Sequence, residues 1–273
     1  MRLICWNVAG RIKKLPRQVA ALAKRKPDIV ALQEVTKSNG PLLRAHFPEI
    51  GLPYIADTVD EAIENDRRYA VLIASRWPLE DISRAIFPVP WPERIVSVQI
   101  LHPKMPFALH NTYIPTGATK AGGEFKLATL EGLFIGLAQH SNTPRILCGD
   151  FNAPQSETAD GTLITFGQNI RPDGTVYVRR SIFGLSGARW DQAERGPLEG
   201  LAAFDLGDVY RRLNGYKVQD YSWYAKNRGR MFGFRLDHIF AAESLNPVAC
   251  QYLHELRETG LSDHAPLEAD FAL

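Results

Sequence analysis

The residues with the clearest chemical potential follow an apolar stretch at positions 145–149, where the chain continues as Asp150-Phe-Asn152. If this stretch is a strand that runs on through residue 152, side-chain alternation places Asp150 and Asn152 on one face. A carboxylate beside a carboxamide can orient and deprotonate a water molecule. A turn or a helix cap is the alternative interpretation of an Asp-x-Asn segment.

Two segments nearer the C-terminus add an imidazole and two more carboxylates. Asp263 and His264 are adjacent among small uncharged residues, so they could supply a metal ligand and an imidazole that faces a phosphate, or form a simple turn. Asp237 interrupts an apolar, strand-like run at residues 234–240. Because a buried carboxylate needs a partner, we expect Asp237 to hold His264, fix its tautomer and raise its basicity.

Two polar residues end predicted strands near the N-terminus. Asn7 lies at the end of an apolar run at residues 3–8, and Glu34 follows another at residues 29–33. Magnesium prefers one or two carboxylates together with waters and phosphate oxygens. Glu34 is therefore the predicted ligand of a Mg²⁺ ion, with Mn²⁺ as the alternative metal.

The elements that must position these residues are mostly short strands. Apolar runs fenced by Pro or Gly predict further strands at residues 70–74, 95–100, 107–113, 145–148 and 236–241. Apolar residues at helical spacing predict helices at residues 15–25 and at about 124–139. Many strands with few helices between them favour a layered α/β fold with two sheets over a doubly wound single sheet.

The composition is that of an ordinary globular protein, and we expect one domain over residues 1–273. Apolar residues make up 45% of the 273 residues, and no repeat or Gly/Ser linker divides the chain. Residues 153–189 are rich in Gly, Thr, Ser and Arg, which predicts a loop or hairpin insertion at the rim of the site. The net charge of +2 neither requires nor excludes nucleic acid.

Cysteine usage and hydropathy bear on location. The three cysteines have no metal-type spacing and are expected to be buried reduced thiols, which favours a reducing compartment. No apolar run approaches the roughly 18 residues of a membrane span. Met1 and Arg2 lead directly into a predicted strand without a signal-peptide pattern. We therefore expect a cytoplasmic protein that does not contact membranes, and a monomer.

Five short polar motifs follow one another between residue 2 and about residue 268. They are Trp6-Asn7, Gln33-Glu34, Gly149-Asp150-Phe151-Asn152, Arg235-Leu-Asp237 and Ser262-Asp263-His264. In this order the motifs resemble those of the endonuclease/exonuclease/phosphatase superfamily. The resemblance implies a four-layer α/β sandwich, in which two mixed β-sheets are flanked by helices, and magnesium-dependent hydrolysis of phosphodiesters.

The resemblance also implies roles for the motif residues. Glu34 would bind the metal, with Asn7 and Asp263 completing or supporting its site. Asp150 would activate the attacking water with the help of Asn152. His264, held by Asp237, would stabilise the charge that develops on the phosphate.

Two segments resemble the exonuclease III and apurinic/apyrimidinic (AP) endonuclease branch. Residues 111–117 contain Asn111 and Tyr113 in an Asn-x-Tyr-x-Pro pattern, whose tyrosine contacts the scissile phosphate in that branch. By this resemblance Asn111 would bind substrate, and Tyr113 would position the phosphate or, as a phenolate, assist the attack. Residues 221–224 place Trp223 in a segment that resembles the lining of the abasic-sugar pocket, with core packing as the alternative for Trp223. The sequence departs from the branch at Ala9, where Asp or Asn is common, and at Thr36, where Lys is usual.

The sequence thus predicts a DNA-directed nuclease, an AP endonuclease or a 3′→5′ exonuclease or both, with duplex DNA as the expected substrate. One alternative is an enzyme for a small or lipid-derived phosphate ester; another is a catalytically silent nucleic-acid-binding relative. A nuclease requires a positive face around the site, whereas a small ester requires a closed, narrow pocket. The candidates for the positive face are Arg179, Arg180, Lys226, Arg228 and Arg230.

Overall fold

Alternating apolar side chains on two sets of strands build the core. The computed structural model describes residues 1–273, and its two large sheets contain six strands each. The strands are β1 (Arg2–Asn7), β2 (Ile29–Val35), β3 (Tyr54–Asp57), β4 (Ala70–Ser75), β5 (Leu79–Asp81), β6 (Ile95–Ile100), β7 (Phe107–Tyr113), β8 (Arg145–Asp150), β9 (Ser156–Glu157), β10 (Leu163–Ile164), β11 (Gln168–Ile170), β12 (Val176–Val178), β13 (Ser181–Ile182), β14 (Leu185–Ser186), β15 (Gly207–Asp208), β16 (Trp223–Asn227), β17 (Arg230–Phe234), β18 (Asp237–Ala241), β19 (Pro247–Tyr252) and β20 (Leu267–Phe271).

Seven α-helices accompany these strands. They are α1 (Leu15–Arg25), α2 (Gly40–Glu49), α3 (Val59–Glu64), α4 (Lys120–Leu137), α5 (Gly187–Leu198), α6 (Val209–Asn214) and α7 (His254–Glu258). None of the helices combines the length and the apolar character needed to cross a bilayer.

The order of layers follows from which side chains pack together. The first sheet has the strand order β19-β20-β1-β2-β4-β3, and the second has the order β15-β18-β8-β7-β6-β5. One buried cluster joins alternate residues of both sheets, for example Leu3 and Val71 with Val98 and Ile146. Two further clusters pack the opposite faces of the sheets against α1 and α2 and against α4 and α5, respectively. The four-layer α/β sandwich is confirmed.

Each sheet contains one parallel pair of strands joined by a helix. In the first sheet, β1 and β2 are parallel and α1 connects them; in the second, β7 and β8 are parallel and α4 connects them. The carboxyl ends of parallel strands lie at the same edge of a sheet. Both sheets therefore present strand ends at one edge of the sandwich, where Asn7, Glu34, Tyr113 and Asp150 lie.

The predicted elements agree well with those of the structure. The helix predicted at residues 15–25 is α1, and all of the predicted strands are present. The helix predicted at about 124–139 begins earlier, at Lys120, because the Thr119 hydroxyl accepts a hydrogen bond from the Gly122 amide and caps it. The irregular stretch 153–189 contains three short hairpins, β9–β10, β11–β12 and β13–β14.

One inference about local geometry was wrong. Strand β8 ends at Asp150, and Asn152 has a positive φ of 48°, so residues 150–152 are not continuously extended. Strand alternation therefore does not relate Asp150 to Asn152. The chain turns instead, and the backbone amide of Asn152 donates a 2.9 Å hydrogen bond to the Asp150 carboxylate, which keeps the two residues together.

The last glycine of β8 allows this strand to approach its parallel neighbour. Gly149 has a φ of +149°, and a β-carbon there would lie 2.0 Å from the carbonyl oxygen of Thr112 in β7. No L-residue can occupy that position without moving one of the two central strands. Gly149 therefore sets the position of Asp150.

We expect Gly149→Ala to lower the free energy of unfolding by roughly 3 kcal/mol or more, because the added methyl group collides with backbone rather than with a flexible side chain. Urea unfolding measures this change. Gly207→Ala is the matched control, since no atom lies within 4 Å of its added β-carbon and its φ lies outside the left-handed region. Equal unfolding midpoints for the two variants would contradict this account of β8.

Candidate active site

Asn7 links carboxylates of both sheets. Its side-chain nitrogen donates to Asp150 Oδ2 over 2.8 Å and to Glu34 Oε1 over 3.2 Å. Its side-chain oxygen accepts a hydrogen bond from the Ala9 amide. Asn7 thus turns its donor toward the two carboxylates, and in this geometry it orients them rather than offering an oxygen to a metal.

Glu34 reaches the site through an irregularity in β2. The pairing of β2 with β4 shifts between Leu32 and Val35, and Glu34 takes a positive φ of 55°. Its Oε1 accepts a 2.9 Å hydrogen bond from the Tyr113 hydroxyl as well as the bond from Asn7. Burial and the charge of Glu34 raise the pKa of Tyr113 well above its ordinary value. Tyr113 is therefore a neutral phenol that donates a hydrogen bond, which argues against a phenolate.

His264 and Asp237 form the predicted pair. Nδ1 of His264 lies 2.7 Å from Asp237 Oδ2, and both side chains are buried. The loop that carries His264 is fastened to β1, because the Ser262 hydroxyl donates to the Asn7 carbonyl and the Trp6 indole donates to the His264 carbonyl. The imidazole is thus fixed by its partner and by its backbone.

The electrostatics of this group separate an acid from a base. Burial alone would lower the pKa of His264, but the carboxylates of Asp237 and Asp150 raise it to about 10. Burial, and then the charge of Asp237, raise the pKa of Asp150 to about 7. At neutral pH His264 is therefore a cation that can donate to a phosphate oxygen, and Asp150 can accept a proton from water.

Asn152 is held beside Asp150 by its neighbours. Its side-chain nitrogen donates to the Ile114 carbonyl, and its backbone carbonyl accepts a 2.7 Å hydrogen bond from the Lys126 ammonium group. Asp150 Oδ2 in turn lies 3.9 Å from His264 Nε2. Asp150 is thus hydrogen-bonded to Asn152, and the hydrogen-bonded pair of Asp237 and His264 lies beside them.

Two sets of residues could hold a metal. Ligand atoms of Asp150, Asp237 and His264 lie within 4.8 Å of one another, but a protonated imidazole has no lone pair to offer. Glu34 is half-buried, lines the open pocket described below and presents the oxygen chemistry that a hard divalent cation prefers. The donor set around Glu34 thus fits Mg²⁺ or Mn²⁺ better than the buried cluster does.

The other three predicted residues have different surroundings. Asp263 is exposed and accepts a 3.4 Å hydrogen bond from the Trp223 indole, and both side chains line the pocket. Trp223 is half-buried there, so the core-packing alternative does not describe it. Asn111 is completely buried and donates to the carbonyls of Leu32 and Leu72. Direct contact of Asn111 with substrate was therefore a wrong prediction; it joins the two sheets beneath Glu34.

Arg94, which no sequence motif indicated, packs against Tyr113. Its guanidinium carbon lies 4.6 Å from the centre of the Tyr113 ring, and the side chain is buried. Its Nε and Nη1 atoms have no hydrogen-bond partner. An arginine just before an ordinary strand gives no sequence signal of such a position, because the contact is made across strands.

A pocket of about 490 Å³ opens beside Asp150 and His264. One wall consists of polar residues of the site, namely Glu34, Tyr113, Asp150, Asn152, Asp263 and His264. The other walls are largely apolar and include side chains of the 153–189 stretch and of α5. The apolar residues that line it include Phe166, Ile182, Phe183, Trp190, Trp223 and Phe234.

The Asp237–His264 pair can be tested in the metal-free protein. We expect Asp237→Asn to lower the pKa of His264 from about 10, because it removes the largest interaction that stabilises the imidazolium. An NMR titration of the histidine ring resonances measures this shift. Asp173→Asn, which removes an exposed carboxylate, is the matched control and should leave the pKa of His264 unchanged. An unaltered pKa of His264 would contradict the assigned pairing.

Comparisons with known proteins identify the family of this chain. Residues 4–264 match the model of the endonuclease/exonuclease/phosphatase family. Exodeoxyribonuclease III of Haemophilus influenzae is 23% identical over 291 residues, which cover 99% of this chain and all of the relative.

Solved structures with the same fold include two nucleases. An AP endonuclease from Archaeoglobus fulgidus is 24% identical with a TM-score of 0.72, and the 3′-5′ exonuclease NExo of Neisseria meningitidis is 21% identical with a TM-score of 0.64. Each comparison covers both chains completely. These structures support the fold. The family match over residues 4–264 shows that this chain belongs to the endonuclease/exonuclease/phosphatase family, whose members are hydrolases of phosphate esters, and that it is an enzyme acting on phosphodiester bonds.

Proposed function

We propose that this protein is a magnesium-dependent phosphodiesterase that acts on DNA, as an AP endonuclease, a 3′→5′ exonuclease or both. The observation that carries the proposal is the separation of roles between two neighbouring groups. Asp150 has a pKa raised to about 7, and His264, 3.9 Å away, has a pKa raised to about 10. One group can take a proton from water while the other remains a cation facing the phosphate.

The metal would be held by Glu34, with Asp263 as the second carboxylate at the rim of the pocket. When bound, Mg²⁺ neutralises charge on the phosphate and on the leaving oxygen. Asn7 orients Glu34 and Asp150 through its side-chain nitrogen. Mn²⁺ has similar oxygen chemistry and is the alternative ion.

The protein side chains account for the proton movements. Asp150, oriented by the Asn152 backbone amide, accepts a proton as a water oxygen attacks phosphorus. The bond from phosphorus to the leaving oxygen breaks, and that oxygen takes a proton from solvent. His264, fixed by Asp237, donates to a non-bridging phosphate oxygen as negative charge develops there. Tyr113 remains protonated and positions the phosphate beside Glu34.

Basic side chains on several sides of the site support a DNA substrate. Lys226, Arg228 and Arg230 are exposed toward the tip of the β16–β17 hairpin, whose other end carries Trp223 and Phe234 of the pocket. Arg179 lines the pocket, and Arg180 beside it is exposed. Cations in this arrangement can contact successive phosphates of a strand. A relative of the same fold, a 3′ phosphatase from Neisseria that is 21% identical with a TM-score of 0.66, was solved with a product DNA hairpin.

One observation favours a second candidate function. Half of the 18 residues that line the pocket are hydrophobic, which also suits the organic group of a small phosphate ester. Hydrolysis of bis(p-nitrophenyl) phosphate with no cleavage of DNA would favour this candidate.

The proposed nuclease function is tested with Mg²⁺ and a duplex that carries one abasic analogue. Incision at the analogue is the result expected of an AP endonuclease, and stepwise shortening from the 3′ end is that expected of an exonuclease. Removal of the metal ion with a chelator should abolish both the incision and the 3′ shortening. Intact DNA in the presence of Mg²⁺ and of Mn²⁺ would refute the proposal.

We expect Asp150→Asn to lower the single-turnover rate by about 10³-fold or more, since the variant removes the proton acceptor while keeping the size of the side chain. DNA binding should remain within a few-fold of the wild-type value, because no positive charge is lost. Asp173→Asn, on the exposed part of residues 153–189, is the matched control and should leave the rate unchanged. A normal rate in Asp150→Asn would refute the assigned role.

A further inference from the structure

We propose that the apolar pocket receives the base of the nucleotide on the 3′ side of the scissile phosphate. The enzyme then prefers a base-bearing nucleotide at that position to an abasic one. This inference rests on the proposed DNA substrate and specifies which group enters the site. The pocket shares Tyr113, Asp150 and His264 with the catalytic group. A phosphate held by those residues therefore directs one of its substituents into the apolar part.

The size of the pocket favours an occupant larger than a sugar. A volume of about 490 Å³ lies within the range of roughly 300–1,000 Å³ that is usual for sites of whole small molecules. An abasic sugar is a single five-membered ring, which would leave much of the apolar lining facing water. A nucleoside adds a flat aromatic base, which can cover that lining.

The lining has the flat faces on which bases stack. The rings of Phe166 and Phe234 are nearly parallel, with an interplanar angle of 17° and centroids 6.1 Å apart. The Trp223 ring lies 5.8 Å from that of Phe234 and continues the aromatic surface toward His264. Proteins that take a base out of its stack hold it against such side chains.

A buried ion pair fixes this aromatic wall relative to the catalytic residues. Lys126 and Glu194 lie 2.8 Å apart, and their side chains are 1% and 0% exposed. Glu194 also accepts hydrogen bonds from the Phe166 amide and from the Trp190 indole, each 2.8 Å long. Because Lys126 donates to the Asn152 carbonyl as well, the wall and the catalytic turn share one anchor. The pocket is therefore rigid before substrate arrives.

Arg179 supplies a polar contact suited to a base edge. Its Nε donates to the Gln168 carbonyl, and its Nη2 lies 3.5 Å from Gln155. Its Nη1 makes no hydrogen bond, and the side chain lines the pocket. A free guanidinium donor can pair with a carbonyl oxygen of a base, which an abasic sugar does not possess.

The test compares two duplexes that differ only in the last residue of one 3′ end. One ends in a mismatched thymidine and the other in an abasic analogue, so that neither terminal residue is paired. Single-turnover removal of that residue is measured with Mg²⁺. We expect the wild-type protein to remove the thymidine at least about tenfold faster.

Phe166→Ala should slow removal of the thymidine by about tenfold or more and leave removal of the abasic residue within threefold. Phe166→Tyr keeps the ring and should restore the wild-type ratio. Tyr177→Ala is the matched control, because Tyr177 belongs to the same stretch but does not line the pocket. Thermal melting of Phe166→Ala shows whether the fold tolerates the loss of this half-buried ring. If the variant is unfolded, Phe166→Leu, which keeps apolar bulk without a flat face, is used in its place.

The outcomes separate this inference from the proposed function. If wild-type protein removes both residues at similar rates, or if Phe166→Ala slows both equally, the base pocket is refuted while the nuclease function stands. If the wild-type protein cleaves neither these duplexes nor the internally abasic duplex, the DNA function itself fails, and this inference fails with it.

Discussion

A single hydrogen bond across the sandwich holds the proposed chemistry together. Asn7 ends a strand of the first sheet, Asp150 ends a strand of the second, and the 2.8 Å bond between their side chains closes the edge at which both sheets stop. Both residues are buried, so the bond is protected from competing water. Glu34 accepts a hydrogen bond from the same Asn7 amide, and the Tyr113 hydroxyl donates to Glu34. The separation of pKa values between Asp150 and His264 depends on this enclosure.

Much of the fold and the identity of the polar residues could be predicted because the signals are local. Short apolar runs identify β1, β2, β7 and β8, and a polar residue at the end of each run indicates the edge of a sheet. The pairing of Asp237 with His264 follows from the rule that a buried carboxylate needs a partner. These arguments require no knowledge of how the two sheets face each other.

The remaining features could not be predicted because they arise from contacts between distant segments. The positive φ values of Glu34 and Asn152 depend on a strand irregularity and on a turn held by Lys126 and Ile114. The burial of Asn111 likewise became evident only with both sheets in place, since its partners lie on β2 and β4. At these positions the residue type indicated a polar group of the site, whereas the backbone conformation and the burial could not be predicted from the sequence.

The stretch 153–189 has its own buried ion pair, which connects β9 to the residues just before β18. Glu157 accepts hydrogen bonds from Arg235 and Arg211, and all three side chains are about 5% exposed or less. Although burial opposes its charge, these arginines lower the pKa of Glu157 to about 2. Breaking such a pair leaves an uncompensated buried charge, so the arrangement resists gradual change. Arg235 lies two residues before Asp237, so this ion pair ties β9 to the segment that carries the partner of His264. The polar residues at the strand ends carry the proposed chemistry, whereas ion pairs outside those motifs, Lys126 with Glu194 and Arg235 with Glu157, hold the segments around the pocket.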